Sequence, residues 1–304
     1  MFTVILQMSG LIFCGVSWRW LQPGNLDAAQ VRKALTSFVY HLLLPALVLS
    51  VLWKAELGAN SILISAAATL GVLSGFLIST LSCRVCELTK AQAGALILAI
   101  AFPNATYMGL PTLEATFGPW ARSIAIQYDL FACTPLLFTI GVMIAARHGS
   151  GLGQERLITS LFKIPSLWAA ILAVLFNIAN VPLPEGVDGF LQLLGRGVTP
   201  LVLFALGLSL EWKSDSLKLL RPLLPVLAIR LFLIPAIVML FLSWFDQPTP
   251  WKAAVIMEAG MPSMVIGIVI CEQFELDMPL YATAVTLTTL GSLISLPLWY
   301  HWLM

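Results

Sequence analysis

The sequence predicts an all-α integral membrane protein, with ten transmembrane helices arranged as two inverted five-helix repeats and with helices four and nine broken. Three observations carry this. Of the 304 residues, 59% are hydrophobic and 10% charged, with a mean hydropathy of +0.93, whereas globular proteins carry about 25% charged residues. Apolar runs near the roughly 20 residues needed to cross ~30 Å of hydrocarbon fall at 2–18, 36–53, 60–82, 92–112, 122–145, 163–181, 188–210, 221–243, 251–271 and 279–303. Finally, a constant offset of 159 residues carries Leu42, Leu44, Ala46, Leu47, Leu49, Ser50, Trp53 and Lys54 onto identical residues at 201–213, and Pro103 onto Pro262.

The first run has no basic residue in Met1-Phe-Thr-Val and no small-residue cleavage site after Val16, so it is expected to stay as a spanning helix. Trp18-Arg19-Trp20 closes it at the interface. The stretch from Asn25 to Lys33 looks like a capped helical turn on the membrane surface. Connections after odd-numbered runs hold eleven Lys and Arg, among them Arg32, Lys33, Arg84 and Arg147, while those after even-numbered runs hold only Lys54, Arg122 and Lys252. By the positive-inside rule the odd connections are cytoplasmic, which puts both termini on the outer, periplasmic side of the inner membrane.

The fourth run contains Ala101-Phe-Pro-Asn-Ala-Thr-Tyr-Met-Gly-Leu-Pro111. Pro103 and Pro111 lack an amide donor and clash with the preceding turn, and Gly109 adds backbone freedom, so an interruption is expected here. In hydrocarbon a freed peptide group costs several kcal/mol, and broken backbone persists only where protein, water or a solute satisfies it. The stretch therefore reads as half of a solute site, and Glu258-Ala-Gly-Met-Pro-Ser-Met264 as the other half. Each half holds five runs, an odd number, so the second enters the membrane from the opposite side. Broken helices at matching positions of inverted halves point to a transporter's midplane site. Residues 1–145 form the first repeat and 163–304 the second. Residues 146–162, with Gly149-Ser-Gly-Leu-Gly153, form a flexible cytoplasmic linker.

Leu42-Leu-Leu-Pro-Ala-Leu47, Phe102-Pro-Asn-Ala-Thr-Tyr-Met-Gly-Leu-Pro111, Val181-Pro-Leu-Pro184 and Ala205-Leu-Gly-Leu-Ser-Leu210, in that order, resemble the auxin efflux carrier family, which includes plant auxin exporters and bacterial malate and malonate permeases. The resemblance covers essentially the whole chain. It implies crossed broken helices four and nine, a scaffold-plus-transport-domain arrangement, transport of organic anions that are often carboxylates, and a homodimer. The long hydrophilic central loop of the plant exporters is missing, which points to a compact prokaryotic-type carrier.

Asn104 follows the helix-breaking proline, where its amide would bond a substrate oxygen or cap the second half-helix; by resemblance the corresponding asparagine belongs to the substrate site. Ser263 is its counterpart in the second half. Thr106, Tyr107 and Met108 would line the crossing beside Pro103 and Pro262, with Gly109 and Gly260 allowing close approach, and a packing role is open for each. Half-helix N-termini carry roughly half a positive charge each and would attract a carboxylate. Asp129, Arg230 and Glu258 lie deep in apolar runs, where charge is functional by default. Arg230 would offset an anionic guest, and Asp129 or Glu258 would carry a proton, since burial disfavours the charged form; mutual pairing that fixes packing is the alternative. Arg196, between Gly195 and Gly197, reads as a snorkelling structural residue, and His41 as a hydrogen-bonded packing residue.

Five cysteines without a paired framework make structural disulfides unexpected, and one Cys83-Arg-Val-Cys86 spacing is weak as a metal motif. No metal, cofactor or catalytic residue is assigned. Without a Walker loop, zinc helix or nucleophile elbow, neither ATP-driven pumping nor enzymatic chemistry is expected. No basic run suggests nucleic acid; the lipid bilayer and a small organic anion are the expected partners. The sequence thus reads as a secondary carrier working by alternating access. A sodium symporter similar to bile acid carriers, using Gln127, Asp129 and Thr286-Leu-Thr-Thr289, and a non-transporting membrane sensor stay open.

Overall fold

A computed structural model describes residues 2–55, 57–85, 88–149, 164–209 and 220–304. Among these the regular structure is helical throughout, the one β-type pairing being an isolated antiparallel bridge between Pro103 and Ser263. The helices are α1 (Phe2–Leu21), α2 (Ala28–Trp53), α3 (Ala59–Val85), α4 (Lys90–Ala101), α5 (105–117), α6 (Ala121–His148), α7 (Pro165–Ile178), α8 (Glu185–Gly195), α9 (Val198–Ser209), α10 (220–242), α11 (Thr249–Ala259), α12 (Gly267–Gln273) and α13 (Met278–Leu303). Six stretches of the described chain, α2, α3, α6, α8 with α9, α10 and α13, are long and apolar enough to cross a membrane. Most of the expected linker, the Cys86 thiol and the Trp212-Lys213 end of the internal match lie outside the described residues.

Helix starts follow local chemistry. Thr89 and Gln92 form a reciprocal capping box at α4, Asp27 accepts the Gln30 amide at α2, and Asp277 accepts the Leu280 amide at α13. Asp27 therefore caps a helix that runs on to Trp53, and the segment expected as a separate surface turn is the first part of α2. No breaker lies between Asp27 and Pro45.

Of the two prolines expected to interrupt the fourth run, only one does so. The chain is interrupted at Phe102–Asn104, where Phe102 is extended (φ −103°, ψ 118°), yet the helix passes through Pro111 unbroken. Immediately before Pro111, residues Ala105–Gly109 form a wide π turn in which Leu110 donates to the carbonyl of Ala105. The same device precedes Pro45 (Val39–Leu43), Pro135 (Asp129–Cys133) and Pro235 (Ile229–Leu233). A wide turn moves the carbonyl that the proline ring would strike, so the helix absorbs the residue without breaking.

The helices pack chiefly in two groups. In the first, α1 lies on α9 and α2 lies on α7, α8 and α9. In the second, α3, α4, α5, α6, α10, α11, α12 and α13 pack on one another. In the first group Asn177 Nδ2 donates to the carbonyls of Leu52, Trp53 and Ala55 at 3.3, 2.9 and 2.8 Å, closing the end of α2 against α7. Lys54 Nζ and Ser50 Oγ both donate to Asp188 Oδ1, at 2.7 and 3.2 Å, joining α2 to α8. The backbones of α1 and α9 touch at two glycines: a Cβ on Gly15 would lie 2.9 Å from Gly207 Cα.

Candidate functional site

The break after α4 meets the break after α11. Asn104 donates its amide to the Pro262 carbonyl at 2.7 Å, and Met264 donates its amide to the Phe102 carbonyl at 3.0 Å. These two bonds form the Pro103–Ser263 bridge, so the two interrupted stretches run antiparallel through the interior. Pro103, Asn104, Gly260, Pro262 and Ser263 are all buried there.

Breaking a helix in an apolar interior strands carbonyls at its end. Protein groups take them up here. Ser263 Oγ donates to the Ala99 carbonyl at 2.7 Å. Arg230 Nη1 donates to the carbonyls of Ile100 and Ala101 at 2.9 and 3.3 Å, and Nη2 donates to that of Ala259. One guanidinium, 1% exposed, thus caps the C-terminal ends of both α4 and α11. The Ser263 amide donates to Thr288 Oγ1 on α13 at 3.1 Å, completing the closure.

The other side of the break is left open. Because residues 102–104 are non-helical, the first amides of α5 have no carbonyl one turn back, and its N-terminus presents partial positive charge. Asn104, 1% exposed, has no partner for its side-chain Nδ2. Both border a cavity of about 70 Å³ whose polar lining comprises Asn104, Thr106, Tyr107, Asp129, Thr134, Tyr40 and Ser166, with Met264 and Ile266 from the second break. Asp129 accepts hydrogen bonds from Thr106 Oγ1 and, at 3.0 Å, from Thr134 Oγ1. Ser166 Oγ is buried without a partner.

The chamber therefore gathers Asn104, Thr106, Tyr107 and Asp129 from the residues singled out in the sequence. Met108 and Gly109 face elsewhere. Ser292 Oγ lies 3.8 Å from the Met108 sulfur, and a Cβ on Gly109 would run into the Glu258 carboxylate. Glu258 is fully buried and neither of its oxygens has a hydrogen-bond partner. Arg230 and Ser263 serve the closure described above and do not line the chamber. His41 is exposed, its ring bonded to the Ser37 carbonyl at 2.9 Å. Sequence reasoning missed Tyr40, Thr134 and Ser166. Thr134 had one signal, its position about a turn beyond Asp129 and next to Pro135.

Two larger cavities flank the chamber, and all three lie where the two helix groups face each other. One, of about 530 Å³, is lined by Arg32, Lys33, Thr36, Ser37 and Tyr40 of α2 and by Tyr107, Val265, Ile266, Ile268 and Val269. It shares Tyr40, Tyr107 and Ile266 with the chamber, so these three side chains form the partition between them. The other, of about 630 Å³, lies at the far ends of α2 and α8 beside the start of α6 and is lined by Lys54, Arg122, Gln127, Gln192 and Arg196, among others. No group of three or more His, Cys, Asp or Glu suited to a metal occurs among the described residues.

A family profile described as "Membrane transport protein" matches residues 11–156 and 152–300. An uncharacterized transporter of Methanothermobacter thermautotrophicus is 30% identical over 285 residues, covering 91% of this chain and 89% of its own length. An uncharacterized transporter of Methanocaldococcus jannaschii is 25% identical over 228 residues, 74% of this chain and 73% of the relative. One of Escherichia coli K12 is 19% identical over 218 residues, 70% and 69% respectively. Apolar composition, membrane-length helices and these matches agree: the chain is a multi-pass membrane transporter and belongs to the membrane transport protein family of auxin efflux carrier-like proteins.

Proposed function

We propose that the protein is a secondary transporter that carries a small organic anion, a carboxylate, through the chamber at the crossing of the two interrupted stretches. The observation that carries this is the buried, unpartnered Nδ2 of Asn104 beside the open N-terminus of α5. A hydrogen-bond donor and a positive helix end at one small cavity suit a carboxylate without a buried lysine or arginine. The basic residues at both flanking cavities, Arg32 and Lys33 on one side and Lys54, Arg122 and Arg196 on the other, favour an anion at either mouth.

In this reading ten spans form two inverted halves, 1–145 and 163–304, with α4–α5 and α11–α12 as the broken fourth and ninth spans. Both termini lie outside the inner membrane, and the Arg32 cavity faces the cytoplasm. The 70 Å³ chamber holds a few waters at most. Loading it requires Tyr40 and Tyr107 to move, and exposing it to the other side requires the two helix groups to shift, which is alternating access. In proteoliposomes, the wild-type protein is expected to take up a carboxylate from a panel of mono- and dicarboxylates, and Asn104→Ala to lose most of that uptake while staying folded. Unchanged uptake by Asn104→Ala removes this chamber as the seat.

Asp129 favours coupled transport over uniport. A carboxylate guest beside an ionised Asp129 in an apolar chamber is repelled, so a proton or sodium ion must accompany it. Two hydroxyls already turned to Asp129 are hard oxygen donors of the kind sodium accepts. Replacing sodium by choline at fixed pH, and changing pH at fixed sodium, separates the two cations.

A further inference from the structure

The largest of the three cavities has no part in the chamber chemistry, yet it is built like a binding site. Its volume of about 630 Å³ falls in the range of small-molecule pockets, roughly 300–1,000 Å³. Lys54, Arg122 and Arg196 line it, and no Asp or Glu does. Two of the three cations are matched just outside the lining: Lys54 by Asp188 at 2.7 Å and Arg122 by Glu114. Arg196 makes no ion pair or side-chain hydrogen bond among the described residues. One positive charge is therefore left over for whatever enters.

The backbone explains why Arg196 stands there. It occupies the tight turn between α8 and α9, between two glycines pressed against α2: a Cβ on Gly195 would lie 2.9 Å from Leu47 Cδ1, and one on Gly197 3.1 Å from Leu43 Cδ1. The inner side of this turn is flush with α2, which leaves Arg196 on the cavity side. Beside it the lining offers a donor in want of a partner: the Nε of Arg122 is buried and unpartnered and can donate to a carboxylate oxygen. Trp120 and Trp251 supply aromatic walls. A guanidinium fork suits a carboxylate by paired N–H···O bonds, and flanking indoles suit the carbon skeleton.

We infer that this cavity is a second, outer docking site for a carboxylate, with Arg196 as its anchor, separate from the chamber at the crossing. Its wall from α2 and α8 belongs to one helix group, and its wall from α3, α6 and α11 belongs to the other. A docked carboxylate spans the seam along which the groups meet and is handed inward past Gln127. The inference rests on the carboxylate reading above for its ligand class.

Succinate titrated by calorimetry into the purified full chain, at constant ionic strength set with chloride, tests it. Succinate binding is expected in the wild type. Arg196→Gln weakens it at least tenfold, Arg196→Lys weakens it less, and Asn104→Ala leaves this binding in place. Binding equal in wild type and Arg196→Gln overturns the docking site, as does a wild-type protein that binds no succinate. Uptake in proteoliposomes reports the transport reading separately: a protein that binds succinate through Arg196 yet transports no carboxylate keeps the docking site and loses the carrier function.

Discussion

Arg230 shows how a charge marked as functional in a sequence acquires a different task in the fold. It lies in the middle of an apolar helix, and its carbonyl partners lie 130, 129 and 29 residues away, so nothing local in the sequence announces them. Replacing it by Gln leaves carbonyls of both helix ends short of donors. Hydrogen bonds to charged groups contribute about 1.5–3 kcal/mol each, so Arg230→Gln is expected to cost about 3 kcal/mol or more in thermal or denaturant unfolding. Stability close to wild type would mean that the ends are closed some other way. Gly109 makes a second test. Alanine there runs into the Glu258 carboxylate and is expected to cost roughly 1–3 kcal/mol. Combined with Glu258→Ala the cost should shrink, giving a coupling well beyond the few tenths of a kcal/mol of independent sites; strict additivity would sink the proposed contact. Asn104 was legible because helix-breaking proline and an amide side chain stand together. Tyr40 and Ser166 were not, since they reach the chamber only through the packing of α2 and α7 against α6.

Helix boundaries came through unevenly for a physical reason. Proline marks a position where an α-helix loses a bond, but whether the chain breaks or widens depends on the turn upstream. At Pro103 it breaks and at Pro111 it widens, and both read alike in sequence. The pairing of α1 with α9 rests on Gly15 and Gly207, where backbones meet as small residues allow in membrane proteins. Gly207→Val pushes a side chain into the Ile12 backbone and is expected to lower stability by about 1–3 kcal/mol. An unchanged melting curve would argue against that helix contact. The end of α2 is similarly exposed to one side chain: Asn177→Leu removes three donor contacts to its carbonyls.

The internal match and the shared proline spacing were visible without coordinates because they are one-dimensional. The division into two groups of helices was expected only through the family resemblance, and which helices fall in each group, with the row of three cavities along their seam, depends on which faces meet and had no linear signature. That seam is where the carrier reading makes its broadest demands. If Asp129 ties the anion to a cation, Asp129→Asn should still permit exchange of carboxylate across the membrane but abolish accumulation driven by a proton or sodium gradient. Accumulation that survives would place the coupling elsewhere. Whether the guest sits at the crossing is settled by chemistry at Ser166, which lines the chamber and has a free hydroxyl. With the five native cysteines replaced, Ser166→Cys should react with a small anionic thiol reagent, and a saturating concentration of the transported carboxylate should slow that reaction at least tenfold. Labelling at the same rate with uptake fully saturated would place the guest somewhere other than this chamber.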